Sequence, residues 1–578
     1  MPILRVALGQ MNPRVGDMTA NSAAMVALAR DASAKGADVI AFPEMALTGY
    51  PIEDLALRPE FLTSAQHSLE ALAQQLAAEG MADTPVVVGY PHGPIHDRSG
   101  SDEHAIAFNS AAVLADGRIL GVYHKHHLPN YSVFDEYRVF RSGSGVTLLR
   151  IQGCDVALAI CEDIWHHHGP VEHIAAEHPG LVLVINGSPF ERDKDDVRVP
   201  LVAQRAQQTG AHVAYVNMVG GQDDLVFDGD SFVTGPGGLV IARSPKFVEH
   251  LLVVDLELPD ARRQAGTHGE HVTVIDLPHV EREHPPLPVV SPVENMTESN
   301  EACWEALVLG LRDYVEKNGF AGVLLGLSGG IDSAVCATIA VDALGADRVT
   351  GISLPSVYSS DHSLSDAVAL ADNLGITYRV EPIAAGVTAI EEQLSLTGVA
   401  AENLQARMRG VILMGISNTS GQLVLTTGNK SEIAVGYSTI YGDSVGGFAP
   451  IKDVPKMLVW ELARWRNDRS RKAGIVAPIP EGSITKPPSA ELRPGQVDQD
   501  SLPDYAILDD ILDRYVTQRA SRHEIVAAGF AAEEVDRIIQ LVDRAEWKRR
   551  QGAIGPKISE MSFGRDRRLP ITYRHDPS

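Results

Sequence analysis

The chain has 578 residues, 44% of them apolar and 21% charged, an ordinary globular composition with material for two to four domains. Its 49 basic and 75 acidic residues leave a formal charge of −26, which sets most of the surface against nucleic acid and anionic lipid while permitting a local basic pocket for phosphates. Four cysteines are too few for a secreted disulfide framework and fit a reducing compartment. The opening MPILRVALGQMNP has no long apolar core or cleavage site, and no apolar run approaches the roughly 18 residues of a membrane span. A soluble, cytoplasmic protein is expected.

In chain order, the first half alternates β-branched runs with helical stretches. ILRVALGQ, ADVIAFP, TPVVVGYP, FNSAAVLADGRILGVYH, DVALAICED, LVLVING and HVAYVNMVG read as strands, with ADGR at 115–118 as a hairpin turn. NSAAMVALARDASAKGA reads as an amphipathic helix closed by Gly36. Residues 1–275 form the first expected domain. The Pro-, Glu- and His-rich 276–298 is an extended linker candidate, and 299–578 is the second domain. There ACWEALVLGLRDYVEKNG predicts a helix, followed by the buried strand GVLLGLS and by VTGISLP, ITYRVEPI and QLVLTTGN, the pattern of a parallel sheet with crossover helices. The tail from about 505 predicts helices in DYAILDDILDRYV, SRHEIVAAG and EEVDRIIQLVDRAEWKRRQ.

Three strand ends in the first half each deliver one polar residue: Glu44 in AFPEMALTGY, Lys125 in GVYHKHHLPNY and Cys161 in ALAICEDIW. Singly, these would be a loop carboxylate, a surface lysine and a small core residue. Together they supply what thiol-based amide hydrolysis requires: a nucleophile, a base that takes and returns protons, and a cation for the tetrahedral oxyanion. Lys125 beside Cys161 would also favour the thiolate. On these residues the first half, roughly 3–260, resembles the nitrilase, or carbon–nitrogen hydrolase, superfamily, whose triad is Glu–Lys–Cys in this order. The resemblance implies an N-terminal αββα nitrilase-like sandwich, with Glu136 a candidate second, supporting glutamate. LPNYSVFDEYRVF and INGSPFERDKDDVR are similar to the glutamine-hydrolysing branch, which implies glutamine contacts at Tyr131, Ser188 and Lys194. The acidic neighbours of Lys194 leave a charged surface loop as the alternative. The runs HKHH (124–127) and HHH (166–168) lack metal-ligand spacing, and adjacent side chains diverge, so no metal is expected there.

The second half opens on GLSGGIDS. A small-residue loop between a buried strand and a helix offers backbone N–H groups to a pyrophosphate, and Asp332 would hold Mg²⁺ bridging the phosphates unless it is only a helix cap. The loop resembles that of the ATP pyrophosphatases, which implies a C-terminal Rossmann-like parallel α/β ATP-pyrophosphatase domain and ATP contacts from Gly326, Leu327, Ser328, Gly329, Gly330, Ile331, Asp332 and Ser333. Residues 402–418, 423–456, 484–505 and 546–558 resemble NAD synthetases. That resemblance implies Thr427 on ATP, Glu432 beside Asp332 at Mg²⁺, deamido-NAD contacts at Asn403, Glu432 and Lys548, and a homo-oligomer. The expected partners are small molecules (glutamine, ATP and deamido-NAD), with no nucleic acid or membrane. Together the halves imply glutamine hydrolysis supplying ammonia to an adenylated acceptor. An amidotransferase of another acceptor, or a binding protein with decayed sites, remain the alternatives.

Overall fold

The computed structural model describes residues 2–94, 107–192, 194–261, 268–269, 271–282, 284–287 and 297–573. Two compact units emerge: Met1–Gln222 with Phe227–Glu298, and Asp223–Val226 with Ser299–Ser578. Of the candidate linker, 283 and 288–296 lie outside the described residues. Its earlier part lies along the first unit, where Leu277 and Leu287 pack against apolar clusters and Pro285 accepts a hydrogen bond from Arg5.

The first unit is built on two sheets. One has six strands in the order His250–Glu257, Ile3–Gln10, Val39–Ala41, Val86–His92, Phe108–Ala115, Arg118–His124. The other has seven, in the order Val240–Arg243, Phe232–Thr234, His212–Asn217, Leu181–Asn186, Cys154–Ile160, Val146–Ile151, Val272–Asp276. Side chains alternate along a strand, so each strand feeds two layers. Leu4, Val6 and Leu8 meet Val156, Leu158 and Ile160 between the sheets. Ala7, Ile40 and Val88 face Met25, Val26 and Leu69 of the helices Met18–Ala34 and Pro59–Leu76. Ala157, Ala159 and Val184 face Val171, Ile174, Val202 and Ala206 of the helices Pro170–Glu177 and Asp195–Thr209. Four layers result, helix–sheet–sheet–helix, and the predicted αββα sandwich is what the chain forms. The ADGR hairpin turns through Asp116 (φ 52°) and Gly117 (φ 69°), the left-handed pair that matches strand twist.

The second unit has one parallel sheet in the order Thr377–Val380, Val349–Ser353, Val323–Gly326, Leu423–Leu425. Chain order reverses between the last two strands, and at such a switch point the loops leaving adjacent strands diverge and open a crevice. GLSGGIDS leaves Val323–Gly326 for the helix Ile331–Leu344, and TTGN leaves Leu423–Leu425 for the helix Lys430–Val435. A C-terminal helical layer, Tyr505–Leu512, Arg522–Ala527 and Ala532–Arg544, packs Leu508, Ile525, Ile538 and Val542 into a core of its own. Among the described residues no helix is long and apolar enough to cross a membrane.

Candidate active sites

The sequence places Glu44, Lys125 and Cys161 at three strand ends, and the fold brings those ends together. Glu44 follows Val39–Ala41, and Gly89 on the adjacent strand lets its loop pass: a Cβ there would sit 2.3 Å from Met45 N and 2.4 Å from Pro43 O. Lys125 follows Arg118–His124, whose antiparallel partner supplies Asn109; Lys125 N–H donates to Asn109 O at 2.8 Å. Cys161 ends Cys154–Ile160 at φ 43°, a left-handed conformation that costs a non-glycine residue about 1 kcal/mol or more and turns the thiol out of the strand.

The Lys125 ammonium donates to Glu44 Oε1 at 2.8 Å and reaches Glu136 Oε1 at 3.0 Å and Oε2 at 2.9 Å. Asn109 Nδ2 donates to Glu44 Oε1 (2.6 Å) and Glu136 Oε1 (3.3 Å), Tyr50 OH to Glu136 Oε1 (2.9 Å), and Gly187 N–H to Glu44 Oε2 (2.8 Å). Glu44 and Lys125 are each 1% exposed, so neither is the surface residue it would be in isolation. Glu136 completes the cage as its second carboxylate.

Burial works against the Lys125 charge, but Glu136 and Glu44 overcome it and hold the ammonium protonated well above the usual lysine range. Burial pushes the Glu136 carboxyl up to about 7 while Lys125 pulls against the shift. At the thiol, Lys125 acts in the expected direction but does not decide the outcome. Lys125 does lower the Cys161 pKa, but burial, followed by the Glu44 charge, outweighs it, and the thiol lies well above the ordinary range. Cys161 therefore rests as a thiol and needs a base beside it.

Asp163, which the sequence reading passes over, pins the arrangement. Its carboxylate accepts from Ile160 N–H (3.0 Å), His126 N–H (3.0 Å), His127 N–H (2.9 Å) and Tyr123 OH (2.7 Å), tying the turn at Cys161 to the loop after Lys125. Beside Cys161, buried Glu162 accepts from half-exposed Tyr131 OH at 3.0 Å. Ser188 is buried, its N–H on Asn217 Oδ1. Lys194, 12% exposed, donates to Pro189 O at 3.0 Å and lies 3.8 Å from Glu191. Ser188 and Lys194 share the loop that Gly187 anchors to Glu44. The two histidine runs converge ring on ring, His127 tilted against His166 at 4.3 Å and edge to face with His126 at 4.6 Å between centroids. Among the described residues no group of three or more His, Cys, Asp or Glu is arranged to hold a metal.

In the second unit the phosphate loop is tightly drawn. Gly329 has φ 74°, and a Cβ there would lie 2.3 Å from Ser363 O, so only glycine fits. Ser328 and Ser333 hydroxyls are 3.2 Å apart, and Ser333 donates to Gly330 O. Gly330, not Asp332, is the cap of Ile331–Leu344. Asp332 instead receives Asn429 Nδ2 on Oδ1 (2.9 Å) and Lys456 Nζ on Oδ2 (2.6 Å). Lys456 Nζ also donates to Glu432 Oε1 at 3.1 Å, and Asn429 Oδ1 caps the helix through Glu432 N–H. Burial raises Glu432 to about 7 against the pull of Lys456. Asn429, which with Lys430 stands after the Thr-Gly pair where ammonia-only relatives are expected to carry Asp-His, and Lys456, which the sequence does not mark, complete this site.

Asp332 and Glu432 thus present hard carboxylate oxygens to one point, a donor set suited to Mg²⁺ shared with phosphates. A cleft beside them is lined by Thr426, Gly428, Glu432, Tyr437, Asp443 and Lys548, with Lys548 Nζ on Gly436 O and Ser438 O, both 2.8 Å. Thr427 is half-buried two residues past the strand Leu423–Leu425, between the cleft-lining Thr426 and Gly428, and Asn403, on the helix Val399–Ser420, accepts from Thr439 Oγ1 at 2.8 Å.

A thiol–lysine–glutamate cage on a four-layer sandwich, followed by a phosphate loop at a sheet switch point, defines a two-site class. Residues 5–265 match the carbon-nitrogen hydrolase family model and 303–552 the NAD synthase model. Similar proteins span the whole chain. A glutamine-dependent NAD(+) synthetase of Acinetobacter baylyi is 43% identical over 99% of this chain and 98% of its own, and one of Xylella fastidiosa is 46% identical over 98% of each. The solved glutamine-dependent NAD+ synthetase of Acinetobacter baumannii, in complex with ADP, aligns with TM-score 0.72 at 39% identity over 99% of this chain and 98% of that one. The Cytophaga hutchinsonii structure shares the fold (TM-score 0.79, 22% identity, 99% and 98% coverage). The chain belongs to the glutamine-dependent NAD(+) synthetases.

Proposed function

We propose that the chain converts deamido-NAD⁺, glutamine, ATP and water to NAD⁺, glutamate, AMP and diphosphate by two chemistries in series. In the first, Glu44 takes the Cys161 proton as the sulfur attacks the glutamine amide carbon. Lys125, held by Glu44 and Glu136, faces the charge that develops on the carbonyl oxygen. Glu44 returns the proton to the departing ammonia, and water then cleaves the Cys161 thioester to glutamate. Tyr131, Ser188 and Lys194 receive the amino-acid end of glutamine, with Glu162 as the acceptor for its ammonium. Support for this comes from the buried Glu162 carboxylate next to the nucleophile and from the 187–194 loop anchored on Glu44.

In the second chemistry, the phosphate loop 326–333 and Thr427 bind ATP, and Asn403, Glu432 and Lys548 orient deamido-NAD⁺ so that its carboxylate meets the α-phosphate. Asp332 and Glu432 would hold Mg²⁺, which neutralises the charge that develops between α- and β-phosphates. Ammonia displaces AMP from the adenylate to form the amide. The observation that carries the reading is the presence in one chain of both intact clusters, Glu44–Lys125–Glu136 around the Cys161 turn and Asp332–Glu432 at the switch point. The test is product stoichiometry with the purified chain: NAD⁺, glutamate, AMP and diphosphate in equal amounts. ADP and phosphate, or no NAD⁺ from deamido-NAD⁺, would contradict it.

A further inference from the structure

Lys456 begins the helix Lys456–Lys472 and is 1% exposed, yet its ammonium stands between the two carboxylates assigned to the metal. Its placement is enforced from every side. The backbone N–H donates to Ser431 Oγ, Ser431 Oγ bonds Asp509, and Met457 N–H donates to the other Asp509 oxygen at 2.9 Å, so the start of the helix is clamped. Beyond the clamp, the ammonium lies 5.6 Å from the Trp460 ring centre and 5.1 Å from that of Tyr505, and the two rings are themselves packed edge to face. Tyr505 OH donates to Asp498 at 2.8 Å, which adds a third acidic group behind Glu432.

We infer that Lys456 is a resident counter-ion that closes the metal position until nucleotide arrives, and so makes metal and ATP enter together. The inference rests on the assignment of Asp332 and Glu432 to Mg²⁺. Without a cation, two partly buried carboxylates this near one another repel, and one would protonate or the pocket would spread. Lys456 offsets part of that cost. Its nitrogen, 2.6 Å from Asp332 and 3.1 Å from Glu432, takes the inner oxygens that Mg²⁺ needs at about 2.0–2.1 Å. A bare divalent ion would have to expel a buried ammonium toward Asp498 and Asp509, whose oxygens already accept from Tyr505, Ser431 and Met457, and the two cations would repel. An ion that arrives with a polyphosphate brings the negative charge that accommodates the displaced ammonium. Lys456 is thus a positioning residue, keeping the carboxylate pair assembled and reserved.

Mn²⁺ as an EPR-visible probe tests the gate on the full-length chain. Nucleotide-free Mn²⁺ should bind Lys456→Gln and Lys456→Met at least tenfold more tightly than wild type, and that gain should vanish in Asp332→Asn/Lys456→Gln. Lys456→Arg, which keeps the cation, should refuse Mn²⁺ as wild type does, and Mn²⁺ should raise the melting temperature of Lys456→Gln but not of wild type. A folded Lys456→Gln with wild-type Mn²⁺ affinity overturns the inference; if neither neutral variant folds, a Lys456→Arg chain that binds nucleotide-free Mn²⁺ tightly does so. The underlying assignment is read separately: Asp332→Asn should weaken Mn²⁺·ATP binding, and unchanged binding there would remove the metal site itself and the gate with it.

Discussion

Both sites place one lysine between two acidic side chains, and they differ in what surrounds the trio. Around Lys125, the carboxylates of Glu44 and Glu136 are 1% and 4% exposed and each is held by further donors: Asn109 and Gly187 on Glu44, Asn109 and Tyr50 on Glu136. Around Lys456, Asp332 and Glu432 are 19% and 17% exposed, and Glu432 lines a cleft. A closed trio holds its lysine in one place, and on the proposed mechanism Lys125 stays a fixed cation while Glu44 carries the proton. An open trio can exchange its cation. On the proposals above, the same ion-pair chemistry is fixed in the more buried trio and exchangeable in the less buried one.

The comparison breaks most visibly at Asp332. Asp332→Ala should lower NAD⁺ formation by roughly 10³-fold or more with either glutamine or ammonium as nitrogen source, because adenylation precedes both. Diphosphate release from ATP and deamido-NAD⁺ without a nitrogen donor reads that step alone, and wild-type release by the variant would refute the role. Lys125→Met, by contrast, should remove glutamine-dependent synthesis by roughly 10³-fold while ammonium-dependent synthesis stays near wild type, a split that compares directly with the Asp332 result.

Asp163→Ala should act through the frame. Losing the acceptor for three backbone N–H groups and Tyr123 is expected to cost about 3 kcal/mol, readable by denaturant unfolding, and to slow glutamate release as the Cys161 turn loosens. Unchanged stability would show that the pin is not needed. The smallest effect is in pH. Because burial raises Glu136 to about 7, its carboxyl takes up a proton in the native chain as pH falls through 7, and Lys125 loses half its clamp. Glutaminase kcat/KM should fall there, and Glu136→Gln should lose that limb. Stability moves the opposite way: the raised group favours the fold fully below about 4.5, and that gain is lost as pH rises through 7.

The parallel second sheet and most inner strands of the first unit were legible in the sequence as short β-branched runs with polar residues at their ends. The four-layer arrangement came from the family resemblance, and strands such as Val146–Ile151, Phe232–Thr234 and His250–Glu257 were not read. Glu44, Lys125 and Cys161 stood out as polar residues at strand ends, and Asp332 through the glycine-rich loop that precedes its helix. Asn109 and Tyr50 did not, since a polar residue inside an apolar run carries no mark until its partner across the sheet is known. Asp163 reads as a loop acid two residues past the nucleophile; its four donors come from 123, 126, 127 and 160, and only the fold assembles them. Val272–Asp276 was missed because its parallel partner, Val146–Ile151, is over a hundred residues away. Lys456 was missed with its helix, although Pro455 ahead of Leu458, Val459, Leu462 and Ala463 was a usable start signal.

The central claim is that one chain holds two separable chemistries, a Cys161 glutaminase and an Asp332-dependent synthetase. Its most direct test is the rate of NAD⁺ formation by Cys161→Ala with glutamine and, separately, with ammonium salts. The account predicts no NAD⁺ from glutamine and a near wild-type rate from ammonium. Continued glutamate release and NAD⁺ formation from glutamine by this variant would contradict it.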